Sequence, residues 1–149
     1  MTAVRFYHLE QKTLDQALPE ILGKALSGDH KIVVKIGDTA QLPRMNDHLW
    51  TFSPQSFLPH GTEKDGQAEE QPIWLTDKDE NPNQADVLIL TDGATSENIA
   101  DYNLCCEMLD GRNPEAVSAA RARWKSYKEQ GFEISYWQQD EAGRWQNKA

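Results

Sequence analysis

The stretch "VRFYHLEQKTLDQALPEILGKALSGDHKIVVKIG", residues 4–37, changes its apolar period twice, and those changes decide the fold. "VRFYHL" (4–9) is short and rich in β-formers, which predicts a strand. In "TLDQALPEILGKALSGD" (13–29) the apolar residues Leu14, Leu18, Ile21, Leu22 and Leu26 recur at helical spacing, with Thr13 as N-cap and a stop near Gly28. Pro19 lies inside that run and predicts a kink or split in the first turns. "KIVVKIG" (31–37) is apolar through its centre and reads as a second strand, and "TAQLPRMNDHLW" (39–50) as a second helix with a proline near its start. This β-α-β-α order predicts a Rossmann-like, three-layer α/β domain with a mostly parallel central sheet.

Working outward from that core, "SPQSFLPHGTEKDGQAEEQP" (53–72) is rich in Pro, Gly and acids and reads as a loop with an exposed acidic tip. "IWLTD" (73–77) and "ADVLILTDG" (85–93) are two more strands joined by the turn-forming "KDENPNQ". "YNLCCEML" (102–109) is too short for its period to decide between strand and helix. "NPEAVSAARARWKSYKEQG" (113–131) is the clearest helix, with Asn113 as N-cap, Pro114 at the first helical position, Glu115 at the positive end of the dipole and Gly131 as the stop. "FEISYWQ" (132–138) alternates like a closing strand. No internal repeat is visible, and the chain divides into one domain over 1–139 and a C-terminal extension, "DEAGRWQNKA", over 140–149.

Composition narrows the function. The 149 residues carry 15 basic and 24 acidic side chains, a formal net charge of -9, so a polyanion is repelled at long range. The start "MTAVRFYHLEQ" lacks the basic and apolar regions of an export signal, and nowhere do about 18 apolar residues run together, which predicts a cytoplasmic protein with no membrane partner. Cys105 and Cys106 are adjacent; in a strand they face opposite ways, which argues against a disulfide framework or a metal site. His8, His30, His48 and His60 have no metal-ligand spacing and read as structural or surface histidines. The turns after the first two strands, "EQKT" and "GDTA", contain neither a GxGxxG nor a GxxxxGK[ST] loop, so nucleotide phosphates have no cradle. No nucleophile elbow is present and the carboxylate runs read as solvated surface, so neither a catalytic centre nor a cofactor is expected.

One patch runs against the overall charge. Segment 113–130 carries Arg121, Arg123, Lys125 and Lys128 against Glu115 and Glu129, a net +2. At about 100° per residue, Arg121, Lys125 and Lys128 fall within about 60° of one another and Arg123 points to the far side. Trp124 lies at the border between this cationic stripe and the apolar stripe of Val117, Ala120 and Tyr127. Cations near a helix C-terminus complement its dipole, so a purely structural account is available. The functional account is a pocket for an acidic peptide with an apolar end, the cations taking carboxylates and the indole forming a wall.

"FYHL" (6–9), "LWTFSPQSFLPHG" (49–61), "QPIWLTD" with "NPNQADVLILTDG" (71–93) and "ARARWKSYKEQGF" (120–132) together resemble the chi subunit of bacterial DNA polymerase III. The resemblance implies a Rossmann-like fold without catalytic activity of its own, within the assembly that loads the sliding clamp. It implies a partner, the acidic, Pro-Phe-ending C-terminal tail of single-stranded DNA-binding protein, held by basic and aromatic residues of the last helix. The matching positions are Arg121, Trp124 and Lys125; Lys128 is added from the stripe geometry. It further implies that the "LWTFSPQSFLPH" block, with Trp50, Phe57, Pro59 and His60, contacts psi or another clamp-loader subunit, so that DNA is met only indirectly.

Three alternatives stand beside this reading. The block at 49–60 reads equally as a buried loop anchor, since Trp50 and Phe57 are large enough to organise a local core. The same surface suits a repair helicase. A direct single-strand binder would need exposed aromatics along a positive groove, for which Trp137 and Trp145 are the candidates, against the net charge.

Overall fold

The computed structural model describes residues 2–51 and 58–148. Among them, strands β1 (Ala3–Leu9), β2 (Ile32–Ile36), β3 (Ile73–Thr76), β4 (Val87–Thr91), β5 (Leu104–Asp110), β6 (Glu133–Gln139) and β7 (Trp145–Asn147) form one sheet in the order β3-β2-β4-β5-β1-β6-β7. Every pairing is parallel except that of β6 with β7. Helices α1 (Leu14–Ser27) and α2 (Gln41–Thr51) cover one face, and α3 (Pro114–Glu129) with the segment 94–102 covers the other. The three-layer, mostly parallel α/β domain expected from the sequence is therefore the observed one. Strand β4, "VLILT", is buried along its whole length because both of its faces are covered, as its unbroken apolar run requires.

The run 102–109 resolves as β5, lying between β4 and β1. Cys105 joins Val4 and Phe6 under α3, whereas Cys106 joins Tyr7 and Leu9 under α1, so the neighbours do face opposite ways. Burial raises both thiols, Cys106 to about 12, which keeps them protonated and inert.

Pro19 does not split α1, so the break that was one of the two outcomes expected of it does not occur. The helix runs unbroken from Leu14 to Ser27 with Pro19 buried. A proline at position 19 leaves the carbonyl of Asp15 without its helical donor, and Nε2 of His48 on α2 lies 2.6 Å from that oxygen. The Asp15 carboxylate also accepts two bonds from the Arg44 guanidinium, at 2.8 and 2.9 Å, which hold its pKa below the ordinary carboxylate value. The orphaned carbonyl has thus become a clasp between α1 and α2.

The described part of the expected loop at 53–72 is more ordered than its composition suggested. Gly61 bridges to Trp74, its N–H donating to the Ile73 carbonyl and its carbonyl accepting from Leu75, so residues around 61 shield the outer edge of β3. Within the stretch set apart in the sequence as an extension, Trp145–Asn147 continue the sheet: β7 pairs with β6 and carries Trp145 to 4.9 Å from Tyr7, ring to ring. Among the described residues no helix is long and apolar enough to cross a membrane.

Candidate functional site

Helix α3 is built as its sequence demands. Asn113 Oδ1 accepts from the N–H groups of Glu115 and Ala116, and Pro114 opens the first turn. At the other end Gly131 takes φ 86° while its N–H bonds to the Lys128 carbonyl and that of Phe132 to the Tyr127 carbonyl. This is a Schellman close, completed by the edge-on contact of Phe132 with Tyr127, 5.9 Å between ring centres. Both ends being fixed, the rotation of the helix on the sheet determines which side chains reach water.

That rotation is set on the inner flank. Ala120 and Tyr127 are buried, and Arg123 reaches inward to Glu107 of β5, its Nε lying 2.8 and 3.0 Å from the two carboxylate oxygens. The Glu107 side chain is only 3% exposed. Burial raises the Glu107 carboxyl despite the opposing pull of Arg123. The far-side position expected for Arg123 thus proves to be an interior one.

On the outer flank Arg121, Lys125 and Lys128 are exposed, and among the described residues none of them makes an ion pair. Trp124 is half-buried beside them, as the border position predicted. Its indole lies edge-on to Phe6 of β1 at 5.5 Å and to Tyr136 of β6 at 6.0 Å. Phe6 and Tyr136 stack in register with each other at 6.1 Å. The structure therefore brings together three cations, an indole wall and an aromatic floor. Phe6 and Tyr136 were missed in the sequence. The signal was the period of two along β1 and β6, but it becomes a pair only once the parallel register of those strands is known.

The second predicted surface separates into parts. Trp50, at the end of α2, is 45% exposed, the one exposed large apolar side chain among the described residues. Its ring centre lies 4.1 Å from that of His60. His60 is buried, with one ring nitrogen at the Leu58 carbonyl and the other 3.1 Å from the Asn46 carbonyl, so it anchors the segment while Trp50 meets solvent. Pro59 is half-buried, and Phe57 lies outside the described residues.

The remaining histidines each have a structural partner: His30 with Asp86, His48 with the Asp15 carbonyl, His8 with Tyr136 and Glu10. Among the described residues no three His, Cys, Asp or Glu side chains gather so as to hold a metal ion. Trp137 and Trp145 are half-buried around Tyr7 on the sheet face opposite Trp124, so they form no continuous groove with the cationic flank.

The chain is similar to "Probable DNA polymerase III subunit chi" of Rickettsia prowazekii (strain Madrid E), with 33% identity over 105 residues, covering 68% of this chain and 64% of that protein, just under two thirds of its length. It is also similar to "DNA polymerase III subunit chi" of Pseudomonas aeruginosa, with 25% identity over 138 residues, covering 90% of this chain and 94% of the other. The family model described as "DNA polymerase III chi subunit, HolC" matches residues 1–135, from β1 into the start of β6, one residue short of Tyr136. The chain belongs to the DNA polymerase III chi subunit family.

Proposed function

We propose that the protein is a non-catalytic adaptor in DNA replication that binds the acidic, Pro-Phe-ending C-terminal tail of single-stranded DNA-binding protein on the outer flank of α3. The observation that carries this reading is the set of exposed, unpaired cations Arg121, Lys125 and Lys128 beside a half-buried Trp124 on a protein of net charge -9. Cations held only for the helix dipole need no aromatic wall, whereas a peptide with carboxylates and a terminal phenylalanine uses both. Arg121 and Lys125 take the tail's aspartates and terminal carboxylate, Lys128 extends the cationic stripe, and Trp124 receives the terminal ring.

The exposed Trp50 supplies a second, separate contact, to psi or another clamp-loader subunit, with Pro59 beside it and His60 holding the segment in place. Two weak contacts on one small domain make a tether. Coupling the loader to protein-coated single strands raises its local concentration where clamps are needed. The protein meets DNA only through its partner.

A fluorescence-polarisation titration of a labelled acidic peptide ending in Pro-Phe tests the reading. Binding of micromolar order, about 8 kcal/mol, is expected, weakening with salt because the ion pairs lie at the rim. It should weaken about ten-fold in Arg121→Ala, Trp124→Ala and Lys125→Ala and in a peptide lacking its terminal phenylalanine. Absence of binding by the wild type overturns it; tight binding of naked oligonucleotide favours direct single-strand binding instead.

A further inference from the structure

The aromatic floor beside Trp124 ends in a polar chain that the tail-binding reading does not use. The Tyr136 hydroxyl lies 2.6 Å from Nδ1 of His8, and Nε2 of the same ring lies 2.7 Å from Oε1 of Glu10. The order of donors follows from the end member. A carboxylate oxygen accepts, so Nε2 carries a proton; in a neutral imidazole Nδ1 then accepts, and the Tyr136 hydroxyl donates to it.

The ring that receives this bond is tightly housed. His8 is buried, and Gly111, in the turn between β5 and α3, makes the room: a Cβ there would lie 2.2 Å from Nε2 and 2.8 Å from the Leu9 carbonyl oxygen. Tyr136 itself is half-buried, stacked on Phe6 and touched edge-on by Trp124. Burial raises its hydroxyl's pKa, Arg121 lowers it and Glu10 raises it, so the chain and the cationic flank act on the same oxygen.

We propose that His8, held by Glu10, is a positioning residue for the acidic-peptide site: by accepting the hydrogen bond of the Tyr136 hydroxyl it pins that ring beside Trp124. A half-exposed phenol without such a bond is free to turn with solvent, and a fixed wall loses less entropy when an aromatic side chain settles on it. The class of ligand served is a peptide end that combines an aromatic side chain with a carboxylate. This inference rests on the function proposed above.

The test uses the full chain and two labelled acidic peptides, one ending in Pro-Phe and one in Pro-Ala. In His8→Leu and in Tyr136→Phe the Kd for the Pro-Phe peptide should rise about five- to ten-fold, with no further loss in the double variant, because both changes remove one hydrogen bond. His8→Asn places an acceptor oxygen near the former Nδ1 and should stay within about two-fold of wild type. The weaker affinity for the Pro-Ala peptide should respond to none of these changes. A slowly exchanging hydroxyl proton of Tyr136, visible by NMR in wild type and in Trp124→Ala, should vanish in His8→Leu. Where His8→Leu fails to fold by circular dichroism, Tyr136→Phe and His8→Asn still decide. Wild-type affinity in Tyr136→Phe and His8→Leu alongside loss in Arg121→Ala overturns the positioning role and leaves the peptide site standing. Additive losses in the double variant overturn the coupling. No binding by wild type overturns both readings.

Discussion

Arg121 and Arg123 stand two residues apart on one helix and have opposite fates. Arg123 is turned inward onto Glu107, with 17% of its side chain exposed, whereas Arg121 faces water without an ionic partner among the described residues. About 200° of helix separates them, so the buried pair that locks α3 also determines which cations are left for a ligand. The contrast teaches that residue type says little about role here; rotation relative to β5 decides it. An arginine with a buried carboxylate is a structural element, and one beside a half-exposed indole is available for the recognition proposed above.

The largest effect that could break this contrast lies on the inner flank. Glu107→Ala strands the Arg123 charge in the interior and should cost about 3–5 kcal/mol, lowering Tm by roughly 10 °C in a differential-scanning experiment. Replacing both partners by apolar residues, Glu107→Leu with Arg123→Met, should recover most of the loss. A single variant that melts with wild type would mean that the pair does not hold the helix.

The outer flank should answer in the opposite way. Arg121→Ala is expected to leave Tm within about 1 °C of wild type, as surface changes do, while weakening the tail peptide about ten-fold and flattening its salt dependence. A fall in Tm without a change in Kd would move Arg121 to the structural side of the comparison.

Smaller again is Gly131→Ala. The left-handed backbone at φ 86° costs an alanine about 1 kcal/mol, and the fraying it induces should be seen by hydrogen exchange at Lys128 and Glu129 before it is seen at Arg121.

The smallest effect contrasts a second pair with the first. The Arg44 hydrogen bonds hold Asp15 below its ordinary range, so its stabilisation is present above about pH 3.9, the unfolded value, and fades as pH falls through the lower folded pKa. Both side chains of that pair are more than a third exposed, which limits the effect to within about 1 kcal/mol. Asp15→Asn should therefore flatten the acid limb of the stability curve slightly. Glu107 has the reverse sign: its pKa is raised, so its contribution is full below the unfolded value and is lost as pH rises through the folded one. Denaturant melts between pH 3 and 7 read the two slopes.

Much of the fold was legible because local period and caps carry it. Thr13, Asn113, Pro114 and Gly131 marked helix ends that the structure keeps, and the apolar run of β4 marked a strand covered on both faces. Less legible was anything closed by a distant partner. Pro19 read as a break because the donor that satisfies the Asp15 carbonyl comes from His48, 33 positions away. The run 102–109 was ambiguous because its strand identity depends on β4 and β1 beside it.

The same division holds for the candidate site. The cationic stripe of Arg121, Lys125 and Lys128, with Trp124 at its border, follows from residue order alone, because 3.6 residues per turn needs no tertiary information. That Phe6 and Tyr136 lie under Trp124, that Arg123 is consumed by Glu107, and that His60 is an anchor while Trp50 is exposed were decided only by the tertiary structure. Strand register and helix rotation bring Phe6 to Trp124 and Tyr136 and Arg123 to Glu107, residues from different elements, and no local pattern encodes those pairings.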